Sequence, residues 1–311
     1  MSDGPAIEVN ALSFTYPGAG GPTLVDLSFA VQPGSIYGFL GPSGAGKSTT
    51  QRILYRILTE YSGSVRVAGT EIRDWSPAVY SLMGIGFETP NLYTRLTGRE
   101  NLEFALAIRR SAQRQAPATV TRKVAAAEPS RRTSLTIDEA ARRLGIEDAI
   151  DARVETYSKG MRMRLAFIRA ILHGPALLFL DEPTSGLDPL WARRVKDWIL
   201  EIRDTGAAVF LTTHSMELAD ELCDTVGFLV DGRLVAEDSP ASLKQRYGRS
   251  GITVAGVSHD GQPVEADYAY DELLGRPIDG FERITRIVNR EVTLEQVFLS
   301  LTGRSLSMGP T

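Results

Sequence analysis

The sequence predicts an α/β fold built round a buried parallel sheet. Short apolar runs at Ser35 to Leu40, Ala176 to Leu180 and Ala207 to Leu211 are continuous, as strands buried on both faces are. Helical patterns accompany them, from Ser48 to about Thr59 and around Trp191 to Arg203. A glycine-rich loop joins the first of these strands to the first helix, at the edge where open α/β sheets hold ligands.

The elements follow in order. Residues 7 to 16, IEVNALSFTY, roughly alternate and read as a strand. Val25 to Val31 reads as another, closed by Pro33-Gly34, and Ser64 to Val67 as a further short one. Residues 109 to 135 carry seven basic residues against one acid, Glu128, with little apolar periodicity. They read as a solvated surface insertion; contact with anionic headgroups or a partner loop is the alternative. Beyond about residue 240, Gly251 to Val257 and Phe281 to Val288 read as strands of a small appended unit. Thr293 to Leu301 reads as a helix with a Thr293/Gln296 capping box.

Composition narrows the function. The 34 basic and 38 acidic residues leave a net charge of −4, which argues against a general nucleic-acid binder. Cys223 is the one cysteine, so no intrachain disulfide forms and a reducing compartment is expected. The N-terminus lacks the basic and apolar regions of a secretory signal. No apolar run approaches the ~20 residues of a membrane helix, so any role at a bilayer is expected to be peripheral or through a partner.

The most specific string is Gly41-Pro42-Ser43-Gly44-Ala45-Gly46-Lys47-Ser48, followed by Thr49. It fits the phosphate-binding pattern G-x-x-x-x-G-K-[ST], between a strand and a helix. Glycines let successive N–H groups turn inward towards phosphate oxygens, and the helix start adds its positive dipole end. Lys47 would reach the β- and γ-phosphates and Ser48 would coordinate Mg²⁺, so the expected ligands are ATP and Mg²⁺. The string argues against a dinucleotide loop, because G-x-G-x-x-G is absent here and the lysine would have no role. Ala176 to Leu180 then ends in Asp181 and Glu182. Asp181 suits Mg²⁺, through water; Glu182 can align and deprotonate an attacking water.

With these residues in place the chain resembles the ABC-type ATPases over about residues 7 to 240. Leu180 to Asp188, LDEPTSGLD, looks like their Walker B and D-loop; Tyr157 to Met161, YSKGM, resembles their signature loop; and His214 matches their switch histidine. The signature usually reads LSGGQ. Here Ser158 and Gly160 are kept, Lys159 replaces a glycine and Met161 an amide, a form familiar in ABC-2-like exporters. The family's Q-loop glutamine is replaced, with Glu88 at or next to its position. Glu88 can ligate Mg²⁺ or hold a water, the rival reading being a surface acid at a loop start. Tyr16 is the candidate adenine platform, unless it or Phe14 only packs the strand.

The resemblance implies a RecA-like P-loop NTPase core with an antiparallel β subdomain, an α-helical subdomain at about 89–165 and a small α+β extension. The ATPase domain would cover 5–240 and an accessory region 241–311. It also implies a dimer in which Ser158, Gly160 and Asp188 of one copy face the phosphate loop of the other. The implied partners are a second, identical ATP-binding subunit and a transmembrane permease on a separate chain, with no nucleic acid. Asn91 to Leu102 resembles the stretch that receives the permease's coupling helix. The implied role is to power export of a drug, antibiotic or lipid-like cargo from the cytoplasmic face of the membrane. A soluble ATPase of the same family acting on ribosomes or DNA is the alternative; such proteins usually carry two cassettes, a coiled coil or zinc cysteines, none of which is present.

Overall fold

In the computed structural model, which describes residues 4–75, 77–114, 135–248, 251–270, 278–290 and 292–303, the chain opens with an antiparallel sheet. Its β1 (Ile7–Phe14) lies between β2 (Leu24–Val31) and β4 (Ser62–Val67), and β5 (Thr70–Glu71) adds to β4. The central sheet follows. It contains β3 (Ile36–Leu40), β6 (Met83–Gly86), β7 (Leu177–Asp181), β8 (Ala208–Thr213), β9 (Thr225–Val230) and β10 (Arg233–Asp238). The order is β10-β9-β3-β8-β7-β6, parallel except for β10 at the edge. Every residue of β3 and β8 is buried, which explains their unbroken apolar runs.

Two apolar cores flank this sheet. On one side Phe29, Tyr37, Phe39 and Phe210 pack ring on ring at 5.3–6.4 Å and join the antiparallel sheet to the central one. α1 (Lys47–Leu54), which follows β3, puts Ile53 and Leu54 into this same core. On the other side lie α2 (Gly98–Arg114), α3 (Ile137–Arg143) and α4 (Lys159–Ile171), the helical segment between β6 and β7, and α5 (Pro189–Asp204), which joins β7 to β8. α6 (Met216–Leu222) and α7 (Pro240–Tyr247) complete the second core.

The structure shortens one expected helix. α1 ends at Leu54 instead of about Thr59, because Arg56 adopts φ 59° and its guanidinium bonds the carbonyls of Trp75 at 2.5 Å and Arg73 at 3.1 Å. A left-handed residue held by side-chain bonds stops the helical ladder there. The stretch 109–135 also divides. Residues 109–114 finish α2, and 115–134 lie outside the described residues. Arg99 braces the helical segment, bonding Asp138 at 2.8 Å and Asp151 at 2.6 Å.

At the C-terminal end β11 (Gly251–Val257) lies between β12 (Pro263–Ala269) and β13 (Arg283–Arg290). β12 escaped the sequence reading, since it starts at proline and alternates with Glu265 and Asp267. α8 (Leu294–Thr302) starts at the expected capping box, with Thr293 and Gln296 bonding reciprocally. It packs on α6 and α7, and Phe298 meets Phe228 of β9 at 5.4 Å. The region beyond 240 is thus only partly separate, because α7 and α8 share the main core. Among the described residues no helix is long and apolar enough to cross a membrane.

Candidate active site

The loop between β3 and α1 is shaped by its glycines. Gly46 adopts φ 110°, and a Cβ there would meet Leu24 Cδ2 at 2.5 Å; at Gly41 one would meet the Leu229 carbonyl oxygen at 2.2 Å. No side chain caps the start of α1, so its first N–H groups are open to an anion. Lys47 folds over the loop and donates from Nζ to the carbonyls of Gly41 at 2.5 Å and Pro42 at 3.0 Å. Ala45 is buried beneath, and its carbonyl accepts from Gly232 N at 3.1 Å.

This loop forms one wall of a cleft of about 390 Å³. Ser43, Gly44, Gly46, Lys47, Ser48 and Thr49 line it from one side, and Glu88, Asp181, Glu182 and His214 from the other. The parallel register makes this possible: Asp181 at the end of β7 lies beside Thr212 of β8, and β8 runs beside β3. The sequence sets the two walls 39 to 171 positions apart; sheet order closes the gap.

The two acids are held by β8. Asp181 Oδ1 accepts from Thr212 Oγ1 at 2.5 Å, and Gln51 Nε2 of α1 donates to the same hydroxyl at 2.9 Å. Glu182 leaves the strand at φ 50°, a left-handed conformation uncommon outside glycine. Its Oε2 accepts from Thr213 Oγ1 at 2.9 Å. Its Oε1 accepts from His214 N at 2.8 Å and from His214 Nδ1 at 2.6 Å. The carboxylate is 12% exposed and the imidazole 69%, so the acid sits inside and the histidine closes over it.

Charge in the cleft is tightly grouped. Burial pushes the Lys47 ammonium below its ordinary value, against the pull of Glu182, Asp181 and Glu88. Burial pushes Asp181 up; the Thr212 bond opposes this, and the charges of Glu88 and Glu182 add to it. A carboxylate crowded by two others gains from a nearby cation. Among the described residues no three His, Cys, Asp or Glu side chains gather closely enough to hold a metal alone. The donor set of one hydroxyl and one or two carboxylates therefore fits Mg²⁺ shared with phosphate oxygens and water.

Other expected residues lie outside the cleft lining. Tyr16 stands beside it, bonded through its hydroxyl to Thr49 Oγ1 at 3.2 Å and edge-on to Phe14 at 4.8 Å. Ser158 caps α4, accepting from Met161 N at 3.2 Å. Gly160 lies by Gly186 and Leu187, and Asp188 caps α5 by accepting from Leu190 N and Trp191 N.

The sequence reading missed Thr212, Thr213 and Gln51. The two hydroxyls were visible as a Thr-Thr pair directly before His214, where an apolar strand would otherwise continue. Their role needs β8 beside β7, which the string does not show. Thr213 also accepts from Ser215 N at 3.0 Å. Thr213→Val keeps the shape and removes both bonds. It is expected to lower ATP turnover about tenfold, the scale of one hydrogen bond to a charged group. Steady-state phosphate release checks this, and a wild-type rate would leave Thr213 a structural residue only.

The profile of the ABC transporter family matches residues 24–185. A fluoroquinolones export ATP-binding protein of Mycobacterium tuberculosis is 42% identical over 97% of this chain and 94% of its own length. Nod factor export ATP-binding protein I of Rhizobium meliloti is 36% identical over 97% of this chain and 90% of its own. A solved ATP-binding subunit of an ABC transporter superposes with a TM-score of 0.64 at 28% identity, covering 78% of this chain and 93% of that one. With the phosphate loop, the acid pair and the histidine meeting in one cleft, the chain belongs to the ABC transporter family, as one of its ATP-binding, ATP-hydrolysing subunits.

Proposed function

We propose that the chain powers an exporter by hydrolysing ATP in a dimer, with each site shared between two copies. One observation carries this reading: Ser158 and Gly160 are absent from the lining of the cleft that gathers Lys47, Asp181, Glu182 and His214. The start of α4, where Ser158 accepts from one N–H and leaves its neighbours without an intrahelical partner, is a second anion-binding end away from the phosphate loop of its own chain. A two-fold pair supplies one, giving two composite sites.

In that pair Ser43, Gly44, Lys47, Ser48 and Thr49 bind the phosphates, on the frame set by Gly41, Pro42, Ala45 and Gly46. Tyr16 stacks on the base. Ser48, Asp181 and Glu88 would hold Mg²⁺, which would supply positive charge against the phosphates. Glu182 takes the proton of the attacking water, and His214 and Thr213 fix its two oxygens. Ser158 and Gly160 of the second copy close on the γ-phosphate, and Asp188 lies at the join. Residues 5–240 form the ATPase unit, with the helical part at about 89–165, and 241–311 the accessory region.

The transport partner is a permease on a separate chain, so the protein works at the cytoplasmic face of a membrane. The names of the two relatives, ATP-binding proteins for fluoroquinolones export and Nod factor export, support export of a drug, antibiotic or lipid-like cargo.

Complementation tests the shared site. Ser158→Asp keeps a good helix cap but sets a negative charge against the γ-phosphate. It and Lys47→Ala are each expected to be inactive. Mixed in equal amounts, half the dimers are hybrids with one intact site, so about a quarter of the wild-type rate should return. A mixture no more active than its parts overturns the composite site.

A further inference from the structure

Ser158 and Gly160 stand at the start of α4 and Asp188 at the start of α5, and one stacked pair joins the two helices. Arg164, six residues after Ser158 on α4, is 8% exposed. Its Nε donates to the Gly160 carbonyl at 3.3 Å, and its Nη1 to those of Leu144 at 2.6 Å and Gly145 at 3.1 Å, just past the end of α3. Its guanidinium lies over the ring of Trp191, 4.2 Å from the centroid. Trp191 is the third residue of α5, and its backbone N–H donates to Asp188 Oδ1 at 3.2 Å. A continuous path therefore runs through Gly160, Arg164, Trp191 and Asp188. Burial pushes the Arg164 guanidinium down, and the negative charges of Asp188 and Glu147 pull it back.

The ring is held firmly in this place. Arg194 of α5 also lies over it, at 4.7 Å. Gly145 presses on its edge: a Cβ there would meet Trp191 Cη2 at 2.0 Å. Gly145 takes φ 60°, so a left-handed glycine at the end of α3 both turns the chain and leaves the slot for the ring. Near the loops themselves the fit is looser. A Cβ on Gly160 would still stand 4.0 Å from the Gly186 carbonyl oxygen and Leu187 Cδ2, and one on Gly186 would meet the far end of the flexible Lys159 side chain. Further along the same two helices Phe167 meets Trp198 at 5.8 Å. The Trp191 stack thus sets the spacing of their N-terminal ends.

We propose that Trp191 is a positioning residue for ATP hydrolysis: stacked on Arg164, it fixes Ser158 and Gly160 against Asp188, so that the two helix starts close as one unit on the nucleotide held by the other copy. The proposal rests on the composite-site reading and adds the residue that makes its second half rigid. Two starts that moved separately would each lose freedom when ATP is enclosed, and a preset spacing removes that cost. Trp191 is not among the residues lining the cleft of its own chain. Its loss therefore damages the partner's site and spares its own phosphate loop.

The test uses the full chain and measures phosphate release. Trp191→Leu is expected to lower turnover about tenfold, the scale of one desolvated ring–cation contact. Trp191→Phe keeps a ring for Arg164 and should retain most of the rate. Mixtures in equal amounts locate the damage. With Lys47→Ala, each hybrid pairs the intact phosphate loop of the Trp191→Leu chain with the intact Ser158 end of its partner, so about a quarter of the wild-type rate should return. With Ser158→Asp, both sites of each hybrid carry a damaged second half, and the mixture should be no more active than its parts. Melting temperature reports folding. If Trp191→Leu proves unstable, Gly145→Ala carries the same mixtures, since its Cβ displaces the ring without altering either helix start. Wild-type turnover by Trp191→Leu, or recovery with Ser158→Asp, overturns the positioning role; the composite site still stands if Ser158→Asp and Lys47→Ala complement each other. Failure of that last pair overturns the composite site and the positioning role together.

Discussion

A Lys47→Ala chain is expected to lose ATP hydrolysis and to bind ATP at least about a hundredfold more weakly, the scale seen when a positioned charge-stabilising group is deleted. The cleft explains the size of the effect. Lys47 is the cation of a lining that also holds Glu88, Asp181 and Glu182. Without it, three carboxylates face a polyphosphate with no side-chain charge to offset them. Lys47 also ties the loop to itself through Gly41 and Pro42, so the alanine chain loses loop order as well as charge. Phosphate release and fluorescent-nucleotide binding measure the two losses. Wild-type turnover would remove Lys47 from the site.

Glu182→Gln should separate binding from chemistry. The amide cannot take a proton from water, so hydrolysis should fall by about 10²–10⁴-fold. ATP affinity should persist, because Lys47, Ser48 and the α1 start are untouched. The bonding pattern sharpens the expectation. Both oxygens of Glu182 accept, from Thr213, His214 N and His214 Nδ1. A glutamine offers one acceptor and one donor: its oxygen can keep the His214 bonds, and its NH2 can donate to the Thr213 hydroxyl, so the side chain stays in place without its basic oxygen. The variant should therefore accumulate as an ATP-bound dimer, seen by size-exclusion chromatography with light scattering. Normal hydrolysis would overturn Glu182 as the base, and a monomer with ATP bound would overturn the dimer.

Much of this site was legible because it is written in short strings. The phosphate loop needs a strand before it and a helix after it within ten residues, and Asp181 and Glu182 end one apolar run. The rest depends on side chains meeting across long separations. Thr212 reaches Asp181 over 31 residues, Gln51 reaches Thr212 over 161, and Arg109 reaches His173 over 64. Averaging composition over 109–135 placed Arg109 in a solvated stretch. In the fold it completes α2, whose other turns carry the apolar pattern. The end of α1 was illegible for a similar reason, since Arg56 is anchored by carbonyls of residues 73 and 75.

The shared core at the C-terminal end ties α8 to the helix that follows His214. α8 rests on α6, and α6 begins two residues after His214. Lys244 of α7 adds a second tie, pairing with Asp220 of α6 at 2.7 Å. A chain trimmed after residue 240 would lose this linkage and uncover Phe228 where Phe298 now lies, a loss of about 3–5 kcal/mol for one such aromatic. The C-terminal helix is therefore part of what holds α6, and with it the turn that carries His214, against the central sheet.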